Sequence, residues 1–137
     1  MLNLSDALPP AAVHAVLALA GLSALFAVKH LVADFLMQTS RMARGKERRA
    51  GWMAPLAAHV SCHAGLTLLI VLAVAPHLWW LTAVDFSIHI AVDRAKTAIA
   101  QRPGFTPDQP RFWWLLGLDQ CLHQLTNIGL ATALMLL

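Results

Sequence analysis

Long apolar runs separated by short polar segments dominate the chain. Ala11 to Val28, Pro55 to Pro76 and Phe112 to Leu137 are strongly apolar, and Leu78 to Ala100 is a fourth run punctuated by polar residues. A helix needs about 20 such residues to cross a hydrocarbon core, and each run is close to that length. Pro9 and Pro10 open the first run, Thr39 to Trp52 reads as a polar loop, Ala75 to His77 as a tight turn, and Gln101 to Arg111 as a Pro/Gly-rich loop. The pattern predicts an all-α polytopic membrane protein, a four-transmembrane-helix bundle forming a single domain over 1–137, with spans at roughly 11–38, 54–75, 78–100 and 112–136. No internal repeat interrupts it.

Composition agrees: 58% of residues are hydrophobic and 12% charged, outside the usual soluble range. The first run does not read as a secretory leader, because its start carries Asp6 and no Lys or Arg, and no small-residue cleavage site follows. Arg41, Arg44, Lys46, Arg48 and Arg49 fill the first loop, and Arg94, Lys96, Arg102 and Arg111 surround the third connection. Basic loops stay in the cytoplasm, so both termini are expected on the non-cytoplasmic side, with Trp79-Trp80 and Trp113-Trp114 at the membrane interfaces. The same rule accounts for the net charge of +3, and no recognition motif interleaves with the bases, which excludes nucleic acid as a partner. Membrane lipids are the expected surroundings, and the small-residue face of Ala15, Ala18 and Gly21 suits a homo-oligomer. Cys62 and Cys121 lack metal spacing and are read as small buried apolar residues.

One spacing recurs on every span. His30 and Asp34, His59 and His63, His89 and Asp93, and Asp119 and His123 are each four residues apart, and Asp85 lies four before His89. Such residues share a helix face one turn apart. The pairs come late in spans one and three and early in spans two and four, so the hairpin topology puts them at one depth. Asp34, His59, Asp93 and Asp119 form an outer layer; His30, His63, His89 and His123 lie one turn deeper, and Asp85 deeper still. His14 and His77 fall outside the pattern.

An Asp near the centre of a membrane helix costs about 2.5–3.5 kcal/mol on insertion scales, so four of them need cations. The expectation is two divalent metal ions held by His30, Asp34, His59, His63, His89, Asp93, Asp119 and His123. Zinc is the first choice, with iron or manganese as alternatives, since imidazole and carboxylate without thiolate suit all three. Lys29 and Lys96 complicate this charge count and are open to pairing with an Asp. Asp85, the deepest acid, is the candidate catalytic base, with a metal ligand or a hydrogen-bond partner that orients His89 as alternatives; Gln38, Arg41, Arg94 and Lys96 are candidate substrate contacts near the cytoplasmic mouth. Such a site suits hydrolysis by an activated water, with a lipid-like or phosphate-containing ester as substrate. The alternatives are metal-ion or proton transport and di-iron redox chemistry; the lack of Asp, Glu, Lys and Arg from Ala11 to Val28, Gly65 to Ala75 and Gln124 to Leu137 argues against a transport path.

The segments KHLVADFLMQ (Lys29 to Gln38), HVSCH (His59 to His63), DFSIHIAVDRAK (Asp85 to Lys96) and DQCLHQLT (Asp119 to Thr126) resemble a bacterial membrane family, domain of unknown function 3307. The resemblance covers most of the chain and implies a small multi-pass protein of the bacterial inner membrane, without implying a reaction. A looser similarity, to inner-membrane metal-dependent hydrolases and zinc-dependent phospholipase C-like enzymes, rests on His-x-x-x-Asp helices.

Overall fold

A computed structural model describes residues 9–137; Asp6, on which the reading of the chain start rests, lies outside them. The described residues are almost entirely helical. Helix α1 spans Pro10–Leu31 and runs on as a π-helical turn, Val32–Met37; α2 spans Ser40–Lys46, α3 Met53–Val74, α4 Leu81–Ala100 and α5 Pro110–Leu136. A 3₁₀ turn, Pro76–Leu78, joins α3 to α4.

Local chemistry explains the ends. Pro10 and Pro110 occupy first-turn positions, where the missing N–H costs nothing and the fixed φ favours entry into a helix. The expected polar loop 39–52 contains the short helix α2, because the Thr39 side chain caps it by accepting a hydrogen bond from the Met42 amide at 3.3 Å. Gly51 and Gly104 turn the chain with positive φ, 72° and 85°, conformations that other residues avoid.

The four long helices close into a ring: α3 packs on α4, α4 on α5, α5 on α1, and α1 on α3, with α2 lying against α3. Two of them, α1 with its π-helical extension (Pro10–Met37) and α3, are long and apolar enough to cross a membrane. Of the residues in the most apolar stretch of each, 6% and 33% are buried. The outer surface is apolar, with Leu17, Phe35, Leu36, Leu69, Trp114, Leu118 and Leu125 all exposed. The interior is divided. One half is a hydrophobic cluster of Phe26, Val71, Ala75, Leu78, Leu81, Leu130, Ala131 and Leu134. The other half is polar, and buries Lys29, His30, Lys46, His59, His63, Thr67, Asp85, His89, Asp93, Thr97, Asp119, His123 and Asn127.

The two cysteines, expected to be buried, are not. Cys121 is exposed on the bundle exterior and Cys62 half-buried, its thiol bonded to the Ala58 carbonyl one turn back. Among the small residues proposed for self-association, Ala15, Ala18 and Gly21 are all exposed.

The contact of α2 with α3 depends on Gly45. A Cβ there would lie 2.5 Å from Cγ of Pro55, a rigid ring that cannot yield. Gly45→Ala is expected to lift α2, which limited trypsin digestion of detergent-solubilised protein would report as faster cleavage at Arg48 and Arg49.

Candidate metal centre

The shared depth of the i, i+4 pairs takes physical form as a cluster of five imidazoles and two carboxylates at the centre of the ring. His89 is its hub: the rings of His63 and His123 lie 3.9 and 4.0 Å from it, centroid to centroid, and those of His59 and His30 at 5.7 and 5.9 Å. Asp34 is enclosed by imidazoles, with His63 Nε2 at 3.0 Å, His30 Nε2 at 3.1 Å and His59 Nε2 at 3.4 Å. Asp93 lies 3.3 Å from His123 Nε2 and 3.6 Å from His59 Nε2.

Two donor groups result. Ligand atoms of Asp34, His59, His63 and His89 all lie within 4.8 Å of one another, and so do those of His89, Asp93 and His123. Donors about 2.0–2.2 Å from a zinc ion stand roughly 3–4 Å apart, so each group needs only a small contraction to close on an ion. The hydrogen bonding fits the same occupant. Nδ1 of His59 and Nδ1 of His63 are buried without a hydrogen-bond partner, and Nε2 of His30 and of His59 lie 3.1 and 3.4 Å from Asp34 without hydrogen-bond geometry. A buried polar atom left unpaired costs about 1–3 kcal/mol, and a metal ion is a partner that an imidazole lone pair accepts. These residues can therefore hold a metal ion.

The π-helical turn positions Asp34. It lies within Val32–Met37, where the wider winding changes the direction of each side chain relative to an α-helix, and such segments recur at functional sites. Its carboxylate is the most accessible of the cluster, 18% exposed against 5% or less for each of the other ligands.

The carboxylates do not depend on metal ions alone for compensation. All three lysines of the chain enter the polar half of the bundle. Lys29 Nζ donates to Asp85 at 3.0 Å, Lys46 Nζ to Asp93 at 2.8 Å, and Lys96 Nζ to Asp119 at 3.1 Å with Asp93 at 3.9 Å. Charge balance thus leaves one of the four aspartates without an ammonium, and no longer calls for two divalent ions. Lys46 carries no sequence signal of this role; it is one base among five between Arg41 and Arg49.

Other expected site residues fall elsewhere. Asp85 is held by Lys29 and by the Thr67 hydroxyl, which donates at 2.6 Å, in a buried triad outside both donor groups. Asp119 flanks the cluster rather than joining a donor group: its Oδ2 accepts from Lys96 and Gln120, and its Oδ1, 3.6 Å from His123, has no hydrogen-bond partner. Gln38 donates to the Asp34 backbone carbonyl at 3.2 Å. Arg41 is exposed and lines a cavity on the α2–α3 side with Pro55 and Ala58. Arg94 is turned away from the histidines, its guanidinium stacked 4.3 Å from the Trp52 ring and bonded to the Arg48 carbonyl. Of the expected substrate contacts, Lys96 alone pairs with side-chain carboxylates, those of Asp119 and Asp93. It also joins two cavities: one of about 300 Å³ lined by Glu47, Gln101, Phe105 and Phe112, and an apolar one of about 250 Å³ between α4 and α5 that reaches Asp119 and Leu122. Gln120 and Asn127 bond within their own helix.

The Lys29–Asp85 pair is expected to be structural. Removing either charge strands the other in the interior, at a cost of about 3–5 kcal/mol. Lys29→Met and Asp85→Asn should each lower the thermal midpoint in detergent, and the double variant should recover most of the loss without changing metal content; a double variant as unstable as the singles would contradict this account.

Comparison with curated proteins and with solved structures returns no match. The sequence profile of one family, described as a protein of unknown function (DUF3307), matches residues 22–136, a stretch that contains all of the clustered His and Asp residues and all three lysines. The chain belongs to the DUF3307 family.

Proposed function

We propose that the protein is a four-span membrane metallohydrolase whose centre takes a divalent ion at Asp34, His59, His63 and His89 and acts on a lipid-like or phosphate-containing ester. The observation that carries this reading is the convergence of seven His and Asp side chains from four helices, with buried imidazole nitrogens left unpartnered. An ion in such a mixed nitrogen and oxygen set lowers the pKa of a water and so makes it a nucleophile at neutral pH. Zinc is the first choice of metal, with manganese and iron next. Asp34, the most exposed ligand, marks the side from which substrate would approach. The cavities that meet at Lys96 support an amphiphilic substrate: an apolar chain fits the α4–α5 groove, and its polar head would reach the ammonium.

Charged α4 and α5 complete the proposed four spans, because their Asp and His residues face the bundle interior while Trp113, Trp114, Leu118, Leu122 and Leu125 face out. With the basic loops in the cytoplasm of a bacterial inner membrane, the centre opens to that side. In a variant with Cys62 and Cys121 replaced by Ala, a cysteine at Arg44 or Arg102 should react with a membrane-impermeant maleimide only after the membrane is opened, and one at His77 before. Labelling of positions 44 and 77 from the same side would contradict the topology.

A transport reading has less support. The polar column ends on the apolar cluster around Phe26, Val71 and Leu130, which leaves an ion no polar step in that half of the bundle.

Elemental analysis of detergent-purified protein tests the metal, and hydrolysis of bis-p-nitrophenyl phosphate and of a fluorogenic phospholipid in mixed micelles tests the reaction. We expect at least stoichiometric zinc, manganese or iron, lost in Asp34→Asn/His63→Ala, together with a turnover that falls by two orders of magnitude or more in that variant. Metal without hydrolysis of either ester would remove the reaction and leave the metal centre; absence of metal would remove both.

A further inference from the structure

The two donor groups differ in what already sits on their carboxylates. The salt-bridge partners of Asp34 are all imidazoles, His30, His59 and His63. Asp93, the carboxylate of the second group, is occupied: Lys46 Nζ lies 2.8 Å from Oδ2 and Lys96 Nζ 3.9 Å from Oδ1. Both ends of the Lys46–Asp93 contact are buried, with 10% and 4% of the side chains exposed. An ammonium and a divalent ion on one buried carboxylate repel each other strongly where water cannot screen them. Occupancy by one therefore works against the other.

Lys46 reaches this position from outside the ring of long helices. It is the last residue of α2, a short helix held against α3 where Gly45 meets Pro55 without an intervening Cβ. That contact lets α2 lie close enough for its final side chain to pass between the long helices to Asp93. The lysine is thus a cation on a short tether, mounted on an element that joins the bundle mainly through one helix.

We propose that Lys46 stands in for a second metal ion: the resting protein takes one ion at Asp34, His59, His63 and His89, and only when Lys46 withdraws do Asp93 and His123 take another together with His89, which then leaves the first ion on Asp34, His59 and His63. The proposal rests on the metal reading above and adds to it an order of filling. It also makes α2 the element whose movement changes the centre from mononuclear to dinuclear, with Lys96 left to Asp119 at 3.1 Å.

The test is a metal count on the full chain, purified in detergent, stripped with chelator, titrated with Zn²⁺ and analysed after gel filtration. The wild type should bind one equivalent, Lys46→Arg one, and Lys46→Met two. Metal-free Lys46→Met, with Asp93 stranded, should melt below the wild type and regain its midpoint as the second equivalent binds; a lysine that only braces the fold would leave a loss that metal does not restore. Two equivalents in the wild type, or one in Lys46→Met, would overturn the proposal while leaving the metal centre in place. No bound zinc in any form would instead remove the metal reading on which it rests. Should Lys46→Met fail to fold, Gly45→Ala keeps every charge and lifts α2; it should show a weaker second equivalent, and a single equivalent there would equally overturn the proposal.

Discussion

Four aspartates enclosed by helices whose outer faces are apolar set the terms for everything else in this bundle. A buried carboxylate has to be paired, protonated or coordinated, and the chain commits all three of its lysines and five of its seven histidines to that task. The long helices can be apolar outside because their polar residues share one face. The bundle closes as a ring because each of those faces needs the other three.

The interior is therefore graded along its length. At one end lie Asp93, Asp119 and the two lysines that enter from the loop side; next come the stacked histidines; below them Lys29, Asp85 and Thr67 close a second charged step. Beyond that step the packing is apolar, around Phe26, Val71 and Leu130. The arrangement resembles a cup with a polar bowl and a sealed foot. Chemistry gathered in the bowl is accessible from one side and insulated from the other.

Much of this was legible in the sequence for a physical reason: a His or Asp in an apolar run is expensive, so each one is informative, and a four-residue spacing fixes its face. The same logic located the deep position of Asp85. It left Lys29 open to pairing with an Asp without saying which, and it did not single out Thr67, an unremarkable hydroxyl in an apolar helix. Lys46 was illegible for a different reason. In a loop with four arginines its charge is fully explained by topology, and only the approach of α2, permitted by Gly45, converts it into a buried ion-pair partner. Arg94 shows the opposite error: a base next to Asp93 in sequence points away, because consecutive helical residues project in different directions, and its guanidinium lies over the Trp52 ring.

The π-helical turn at Val32–Met37 has an implication for how the centre tolerates change. A π turn accommodates one more residue than an α turn, so the first long helix carries two angular frames: Lys29 and His30 belong to the one before it, Asp34 and Gln38 to the one it sets. Deleting a single residue between them would leave a continuous and equally apolar helix, with no loss of spanning length that a membrane would notice. It would instead let the turn close to α geometry and change the direction of the Asp34 side chain relative to His30, while the helix on either side keeps its course. In this helix, then, the length of the segment between two side chains encodes as much of the centre as their identities do.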